Sequence, residues 1–460
     1  MKKAFIRSLC LILAISCMVG LCGCGEGGGS KGGYKGEVID LGGKEISIVT
    51  WSTSFVPDEK STSEAVQEAY ARMKEVEKLY NCKFVVNNME ASEISSAFTT
   101  AAMAGQSIGD IILMKTSMAT AAYNNNLLLD LSQVFDFDKA PFYKPATNLL
   151  KDKDGKIYSF DIRDFHAIDN MVYFNKEVFD EVGIDVDEIY QLVEDGEWTV
   201  EKYDEIISKA TIVENGETVV YGGFGTTSLE SIQHWLEAYG AETVHIDENG
   251  KASSGVKDAQ YKEALEFVRE NNQKSYVLKP GNEDAWDLRL TSFYNGTLAT
   301  TFGSPANREV FKESCNFEYG ILPFPKTDYI DDYAYIKNYL NVYVMPKTYE
   351  KDLKTAKAIA DMVTYFAFPE EAKSEADLKK ELEAGFCDEQ SVEIAYEAAT
   401  SENFKLQNIY TIGLEKDFNS VAHKALNPAL HGTATVAPAI ASFADAWQSI
   451  LDDYNSGLGK

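Results

Sequence analysis

Short apolar runs and spaced apolar positions alternate along the first third of the chain. The runs are rich in β-branched residues, as expected of buried strands. They lie at 44–50, 83–86 and 109–114. Between and after them, apolar residues recur every three or four positions, which predicts helices. These helices cover 61–80, 92–103 and 119–126. This alternation predicts an α/β lobe with a largely parallel sheet.

The same kinds of element continue to the end of the chain. Strands are predicted at 171–174, 219–224, 297–302, 319–322 and 339–345. Helices are predicted at 200–210, 228–239, 258–272, 285–294 and 352–366, and most of the remainder to Tyr454 is predicted to be helical. A chain of 460 residues is too long for one ordinary hydrophobic core and has the length expected of two lobes.

The first 25 residues have the pattern of a signal segment. Three basic residues precede an apolar run over 9–21, which is too short to span a bilayer as a stable helix. Leu21-Cys22-Gly23-Cys24 then resembles the bacterial lipobox, and the Gly-rich stretch after it is typical of a flexible tether. We therefore expect a signal peptide over 1–23, lipidation of Cys24 and a tether over 24–37. An ordinary cleaved signal with an unrelated cysteine is the alternative.

The charge of the chain excludes some classes of partner. The formal net charge is −29, and removal of the three basic residues in 1–23 lowers it to about −32. Such an acidic protein repels phosphates, so no nucleic-acid partner is expected. After the signal segment, no apolar run approaches the ~18 residues of a membrane span. The chain is therefore predicted to be anchored to a membrane rather than embedded in it.

The reactive residue types do not form a recognisable catalytic or metal motif. Cys82, Cys315 and Cys387 are too widely spaced for a disulfide framework, and whether any two of them pair is left open. The five histidines are dispersed, and Gly303-Ser304 lacks the flanks of a nucleophile elbow. No cofactor, metal or catalytic residue is expected. Carboxylates are so frequent in this acidic chain that their number does not argue against an acid/base pair of the glycosidase kind.

A series of short motifs follows in a fixed order along nearly the whole chain. They are the lipobox at Leu21–Cys24, Trp51 after the first strand, Ala104-Gly105 with Asp110, Asp154-Gly155-Lys156-Ile157-Tyr158, Tyr173-Phe174-Asn175-Lys176, Gly196-Glu197-Trp198-Thr199, Phe293-Tyr294-Asn295-Gly296, Leu322-Pro323-Phe324-Pro325, and the helix with Lys354, Ala356 and Ala358. In this order they resemble the extracellular solute-binding proteins of bacterial ABC importers, in the carbohydrate-type group that includes maltose-binding protein. Most of these motifs are turns, caps and strand edges, so they indicate the fold better than the ligand.

The resemblance implies an α/β fold of the two-lobed periplasmic-binding-protein kind, with a hinge and a ligand cleft between the lobes. It implies an N-terminal lobe of 38–162 plus 343–380 and a C-terminal lobe of 163–342 plus 381–460. The chain would cross between the lobes near 160–164, near 338–343 and around 370–390. Strand ends in open α/β sheets point at such a crevice.

The expected ligand contacts are aromatic faces for stacking, together with polar side chains for hydroxyl groups. The candidates are Trp51, Lys115, Arg163, Asp164, Trp235, Trp286, Ser304, Asn307, Asn338, Tyr339 and Asn341. For Arg163 and Asp164 an interlobe salt bridge is an alternative, and for Trp235 a place in the core is an alternative. Ser304-Pro305-Ala306 stands where the maltose type has an aromatic residue, which puts ring stacking at that place in doubt.

The resemblance implies a monomeric substrate-binding lipoprotein of an ABC importer. It would capture a small polar solute, most readily a mono- or oligosaccharide, and deliver it to permease subunits in the membrane. It implies that the protein lies on the outer surface of the cell membrane. The tether and the lipobox-like sequence are most typical of a Gram-positive cell. Two alternatives stay open at this point: a receptor that partners a membrane sensor, and a cell-surface carbohydrate-active enzyme.

Overall fold

The computed structural model describes residues 33–52, 55–61, 63–163, 166, 168–281, 286–368, 374–383, 385–386 and 388–457. The chain divides into two units, 1–36 and 37–460, and every described helix and strand belongs to the second. The predicted signal peptide, Cys24, Asp164 and Cys387 lie outside the described residues, as does the side chain of Trp286.

Fifteen strands are present among the described residues. They are β1 (Lys44–Thr50), β2 (Cys82–Asn88), β3 (Ile111–Lys115), β4 (Met171–Asn175), β5 (Ile212–Glu214), β6 (Glu217–Val220), β7 (Gly223–Phe224), β8 (Val244–Ile246), β9 (Ala252–Ser254), β10 (Val277–Leu278), β11 (Thr300–Gly303), β12 (Tyr319–Pro323), β13 (Tyr335–Lys337), β14 (Asn341–Val344) and β15 (Phe404–Leu406).

Seventeen α-helices are present in the same part of the chain. They are α1 (Glu64–Leu79), α2 (Ala91–Met103), α3 (Thr116–Asn124), α4 (Lys144–Leu149), α5 (Lys176–Glu181), α6 (Val186–Glu194), α7 (Val200–Lys209), α8 (Ile232–Ala238), α9 (Ala259–Asn271), α10 (Trp286–Tyr294), α11 (Asn307–Ser314), α12 (Leu353–Ala367), α13 (Glu375–Glu383), α14 (Glu389–Thr400), α15 (Asn408–Thr411), α16 (Glu415–Leu430) and α17 (Val436–Gly457). None of them has the length and apolar character that crossing a membrane requires.

The first lobe is built on a four-stranded sheet in the order β14-β3-β1-β2. The strands β1, β2 and β3 are parallel, which confirms the sequence-based prediction, while β14 runs antiparallel to β3. Apolar residues on one face, such as Val49, Ile112 and Val342, are fully buried against the helices that cover it. The helix α12 packs on α1, so a late segment of the chain completes this lobe.

The second lobe is built on an antiparallel sheet in the order β11-β4-β12. All five residues of its central strand β4 are buried. Trp198, Trp235 and Trp447 are at most 2% exposed and anchor the surrounding core. Trp235 lies in the core, which is the alternative that the sequence left open, because Phe302, Phe324 and other aromatic side chains pack around its indole.

The lobes are joined by segments that run side by side. Phe160 and Tyr343 form an antiparallel bridge, and the Asp169 N–H donates to the carbonyl of Ile336 at 2.9 Å. We call 161–170 the first crossing and 338–341 the second crossing. A third connection leads from α12 to α13, which packs on α14 and through it on β12. The residue boundaries of the two lobes stay a prediction.

Candidate ligand-binding site

The first lobe brings several strand ends to one edge of its sheet. Because β1 and β3 are parallel, the residues that follow them, Trp51 and Thr116, lie at the same edge. The antiparallel strand β14 begins there, with Asn341 directly opposite Lys115. Directly opposed residues on neighbouring strands project to the same side of a sheet. Lys115 and Asn341 therefore project to one side of the sheet, whereas Trp51, at the same edge, packs against the apolar cluster of the other face. All three are half-buried.

The second lobe presents a matching edge. Gly303 at the end of β11 and Pro323 at the end of β12 both pair with Met171, the first residue of β4. Residues that follow these strands, such as Ser304, therefore lie where the first crossing enters the lobe. The strand β7 runs parallel to β11, since Tyr221 and Leu298 form a parallel bridge, so Thr226 lies at this edge as well.

Polar side chains hold the two crossings against each other. The Lys337 ammonium is 2.5 Å from one oxygen of Asp169, and the Asn338 N–H donates to the other at 3.3 Å. The side-chain amide of Asn338 donates to the carbonyl of Glu230, which precedes α8. Asn338 thus links both crossings to the second lobe, and it is 2% exposed.

An ammonium lies on an aromatic ring at the centre of this region. Lys115 Nζ is 4.7 Å from the ring centroid of Tyr339, and the ring of Tyr339 lies 5.7 Å from that of Tyr410. Burial raises the pKa of the Tyr339 phenol. The structure thus brings together two of the predicted site residues, Lys115 and Tyr339, from the first lobe and the second crossing.

Other predicted site residues are engaged within the protein. Arg163 Nε is 2.5 Å from Asp161 Oδ2, and its guanidinium lies over the ring of Tyr143. Burial raises the pKa of the Asp161 carboxyl, an effect that Arg163 opposes. Asn307 Oδ1 accepts from the Ser304 N–H at 2.8 Å, so it closes the turn after β11. The partner of Arg163 is thus its own neighbour on the first crossing.

A small pocket lies at the second-lobe edge. It is lined by the aromatic residues Phe224, Trp235, Phe302 and Phe324 together with Gly225 and the polar residues Thr226, Ser231, His234 and Arg289. Sequence reasoning missed Thr226 and Arg289. The available signal for Thr226 was its place directly after a Gly-rich strand, whereas Arg289 reaches the pocket from α10 by tertiary packing alone.

Within the described residues, no cluster of His, Cys, Asp and Glu side chains is arranged to hold a metal ion. The arrangement provides hydrogen-bond donors and acceptors beside half-buried aromatic rings, between two lobes. Such a combination recognises a small polar molecule by its shape and its polar groups. Closure of the lobes would complete contacts to a ligand from both sides.

Comparison with known proteins identified solved structures of the same fold. The GacH receptor of Streptomyces glaucescens, solved without ligand and with acarbose, is 16% identical over 90% of this chain and 99% of its own, with a TM-score of 0.62. A substrate-binding protein of an ABC transporter from Listeria monocytogenes, in complex with cycloalternan, is 16% identical over 91% of this chain and 99% of its own. Its TM-score is 0.62. UgpB from Mycobacterium tuberculosis, in complex with glycerophosphocholine, is 16% identical over 89% of this chain and 98% of its own. Its TM-score is 0.61.

These likenesses concern the fold. No curated protein matched the sequence. A family model described as bacterial extracellular solute-binding protein matches residues 71–373, which is more than half of the chain. The chain therefore belongs to the bacterial extracellular solute-binding proteins.

Proposed function

We propose that this protein captures a mono- or oligosaccharide between its lobes and delivers it to the permease of an ABC importer. The observation that carries the proposal is the meeting of polar side chains and an aromatic ring of the first lobe and the second crossing. Lys115, Asn338 and Asn341 supply donors and acceptors there, and Tyr339 supplies a ring face. Trp51 would supply a second ring from the same edge of the sheet. When a sugar leaves water, its many hydroxyl groups need new hydrogen-bond partners, and its apolar ring faces can stack on aromatic residues.

The solved structures of the same fold support a small polar ligand without fixing its identity. The ligands named for them are acarbose, cycloalternan and glycerophosphocholine, so the same architecture takes ligands of different chemistry. The choice among ligands therefore rests on the side chains at the crossings. In this chain two carboxylates there are held by basic partners, Asp161 by Arg163 and Asp169 by Lys337. These two carboxylates therefore need no positively charged group of a ligand to neutralise them.

The proposal includes a lipid anchor on Cys24 and a place on the outer surface of the cell membrane. It also includes a monomeric state and no catalytic step. The support for the anchor is the lipobox-like sequence and the Gly-rich tether that follows it. Metabolic labelling with a radioactive or clickable fatty acid tests it: the wild-type chain is labelled and the Cys24→Ala variant is not. Equal labelling of both would overturn the anchor.

The solute proposal is tested by thermal unfolding of the soluble chain from Gly25 onward. Monosaccharides, oligosaccharides, alditols, amino acids and peptides are added one at a time. A ligand that binds only the folded state stabilises it by about 2.7 kcal/mol at a hundredfold excess over its Kd. An increase in Tm with one carbohydrate class, followed by calorimetric titration, would support the proposal. An increase with peptides or amino acids alone would overturn the carbohydrate assignment.

A further inference from the structure

The side-chain oxygen of Asn338, on the second crossing, accepts no hydrogen bond from the described residues. Its Nδ2 donates to the Glu230 carbonyl at 3.1 Å, and this bond fixes the orientation of the amide because a carbonyl oxygen cannot donate in return. Its Oδ1 is buried and has no hydrogen-bond partner among the described residues. A buried acceptor without a hydrogen bond destabilises the folded protein, because it has lost its hydration and gained no partner.

The side chain of Asn341, at the other end of the same crossing, has the same property. Its Oδ1 is buried and without a partner among the described residues. Its register partner Lys115 has three N–H donors, yet its ammonium lies over the Tyr339 ring, and no described carboxylate forms an ion pair with it. A donor and an acceptor therefore stand side by side in the candidate site without bonding to each other.

We infer that the second crossing selects the ligand by its hydrogen-bond donors. The Oδ1 atoms of Asn338 and Asn341 accept from hydroxyl groups of a neutral polyhydroxyl ligand, a sugar or an alditol, and Lys115 donates to an oxygen of the same molecule. A hydroxyl group both donates and accepts, so it satisfies such a set, whereas an anion that has acceptors alone leaves both amide oxygens unpaired. This inference rests on the proposed function and adds to it the chemical property by which these residues discriminate between neutral and anionic ligands.

The test compares three variants of the mature chain by calorimetric titration. The neutral probes are glucose, maltotriose, cellobiose and ribitol, and the anionic probes are sulfate and oxalate. Asn341→Leu removes the acceptor with little change of volume and is expected to weaken binding of the neutral probe about tenfold or more, the scale of one buried hydrogen bond. Asn341→Asp keeps an acceptor and is expected to retain more affinity than the Leu variant.

Asn271→Leu is the matched control. Asn271 ends α9, is 3% exposed and likewise has an unpartnered Oδ1 among the described residues. Its replacement is expected to leave the affinity unchanged. A purely structural role of Asn341 predicts a change in Tm alone, whereas the inference predicts that Asn341→Leu leaves the unliganded chain at least as stable while its affinity falls.

Unchanged affinity in Asn341→Leu would overturn the inference and leave the carbohydrate assignment intact. Binding of sulfate or oxalate with no response to any neutral probe would overturn both. The inference would be supported by three results together: lower affinity in Asn341→Leu, higher affinity in Asn341→Asp than in the Leu variant, and unchanged affinity in Asn271→Leu.

Discussion

The imidazole of His166 lies flat on the ring of Phe404, with centroids 4.1 Å apart and planes 6° from parallel. His166 belongs to the first crossing, and Phe404 begins the strand β15 that pairs with β13. His166 Nδ1 also lies 2.9 Å from the hydroxyl of Tyr143, whose ring is packed in the core of the first lobe. The stack therefore ties the first crossing to both lobes.

This contact predicts a loss of stability in mild acid. Burial lowers the pKa of His166 from its ordinary value of 6.5. The unfolded chain therefore binds more protons than the folded chain as the pH falls below 6.5, and the contribution of His166 to stability decreases toward the lowered pKa. We expect His166→Phe to reduce the decrease in Tm between pH 7 and pH 5. The exposed control His423→Gln should follow the wild type, and identical pH curves for all three would contradict the prediction.

The packing of Trp235 leads to a prediction about stability. Its indole is 2% exposed, contacts Phe302 and Phe324, and has Nε1 3.2 Å from the hydroxyl of Thr226. Trp235→Ala leaves a cavity in the core and is expected to cost about 3–5 kcal/mol. Urea unfolding measures this cost, and Trp51→Ala at the half-buried rim should cost clearly less. A cost for Trp235→Ala no larger than that for Trp51→Ala would contradict the prediction.

Local patterns were sufficient to predict many of the elements. The β-branched run over 44–50 coincides with β1, and the spacing over 92–103 differs by one residue from α2. Thr199 was expected to cap the next helix, and its hydroxyl accepts from the N–H of Lys202 at 3.2 Å. These features depend on residues close in sequence, so they are readable without knowledge of the fold.

The pairing of distant segments was not predictable in the same way. The antiparallel addition of β14 to β3 places Asn341 opposite Lys115, and nothing in either segment specifies the other. The antiparallel order of the second sheet has the same origin. For the site, sequence reasoning reached Lys115 and Tyr339 but not their contact, and it left open whether Trp235 faces a ligand or packs in the core, where the structure has it. Side chains that depend on tertiary packing, such as Arg289, carry no local signal.

Thr116 gives a test of how the first lobe holds the second crossing. Its hydroxyl donates to the Leu340 carbonyl at 3.0 Å and accepts from the Leu340 N–H at 2.8 Å, and the residue is fully buried. Thr116→Val leaves that N–H without its partner, so we expect a loss of about 1–3 kcal/mol in the free energy of unfolding. Thr116→Ser keeps the hydroxyl and should lose less. Chemical denaturation of the two variants measures the difference, and a Val variant as stable as the Ser variant would contradict this role.

Tryptophan fluorescence offers a direct report on ligand binding. Trp51 is half-buried at the edge of the first sheet, whereas Trp198, Trp235 and Trp447 are buried in the core of the second lobe. A sugar that stacks on the indole removes water from its face, so the emission of Trp51 should change when the sugar identified by thermal unfolding is added. We expect the change to persist in Trp198→Phe and Trp447→Phe and to disappear in Trp51→Phe, with the affinity of that variant measured independently by calorimetry. A full emission change in Trp51→Phe would place the sugar away from this edge of the first lobe.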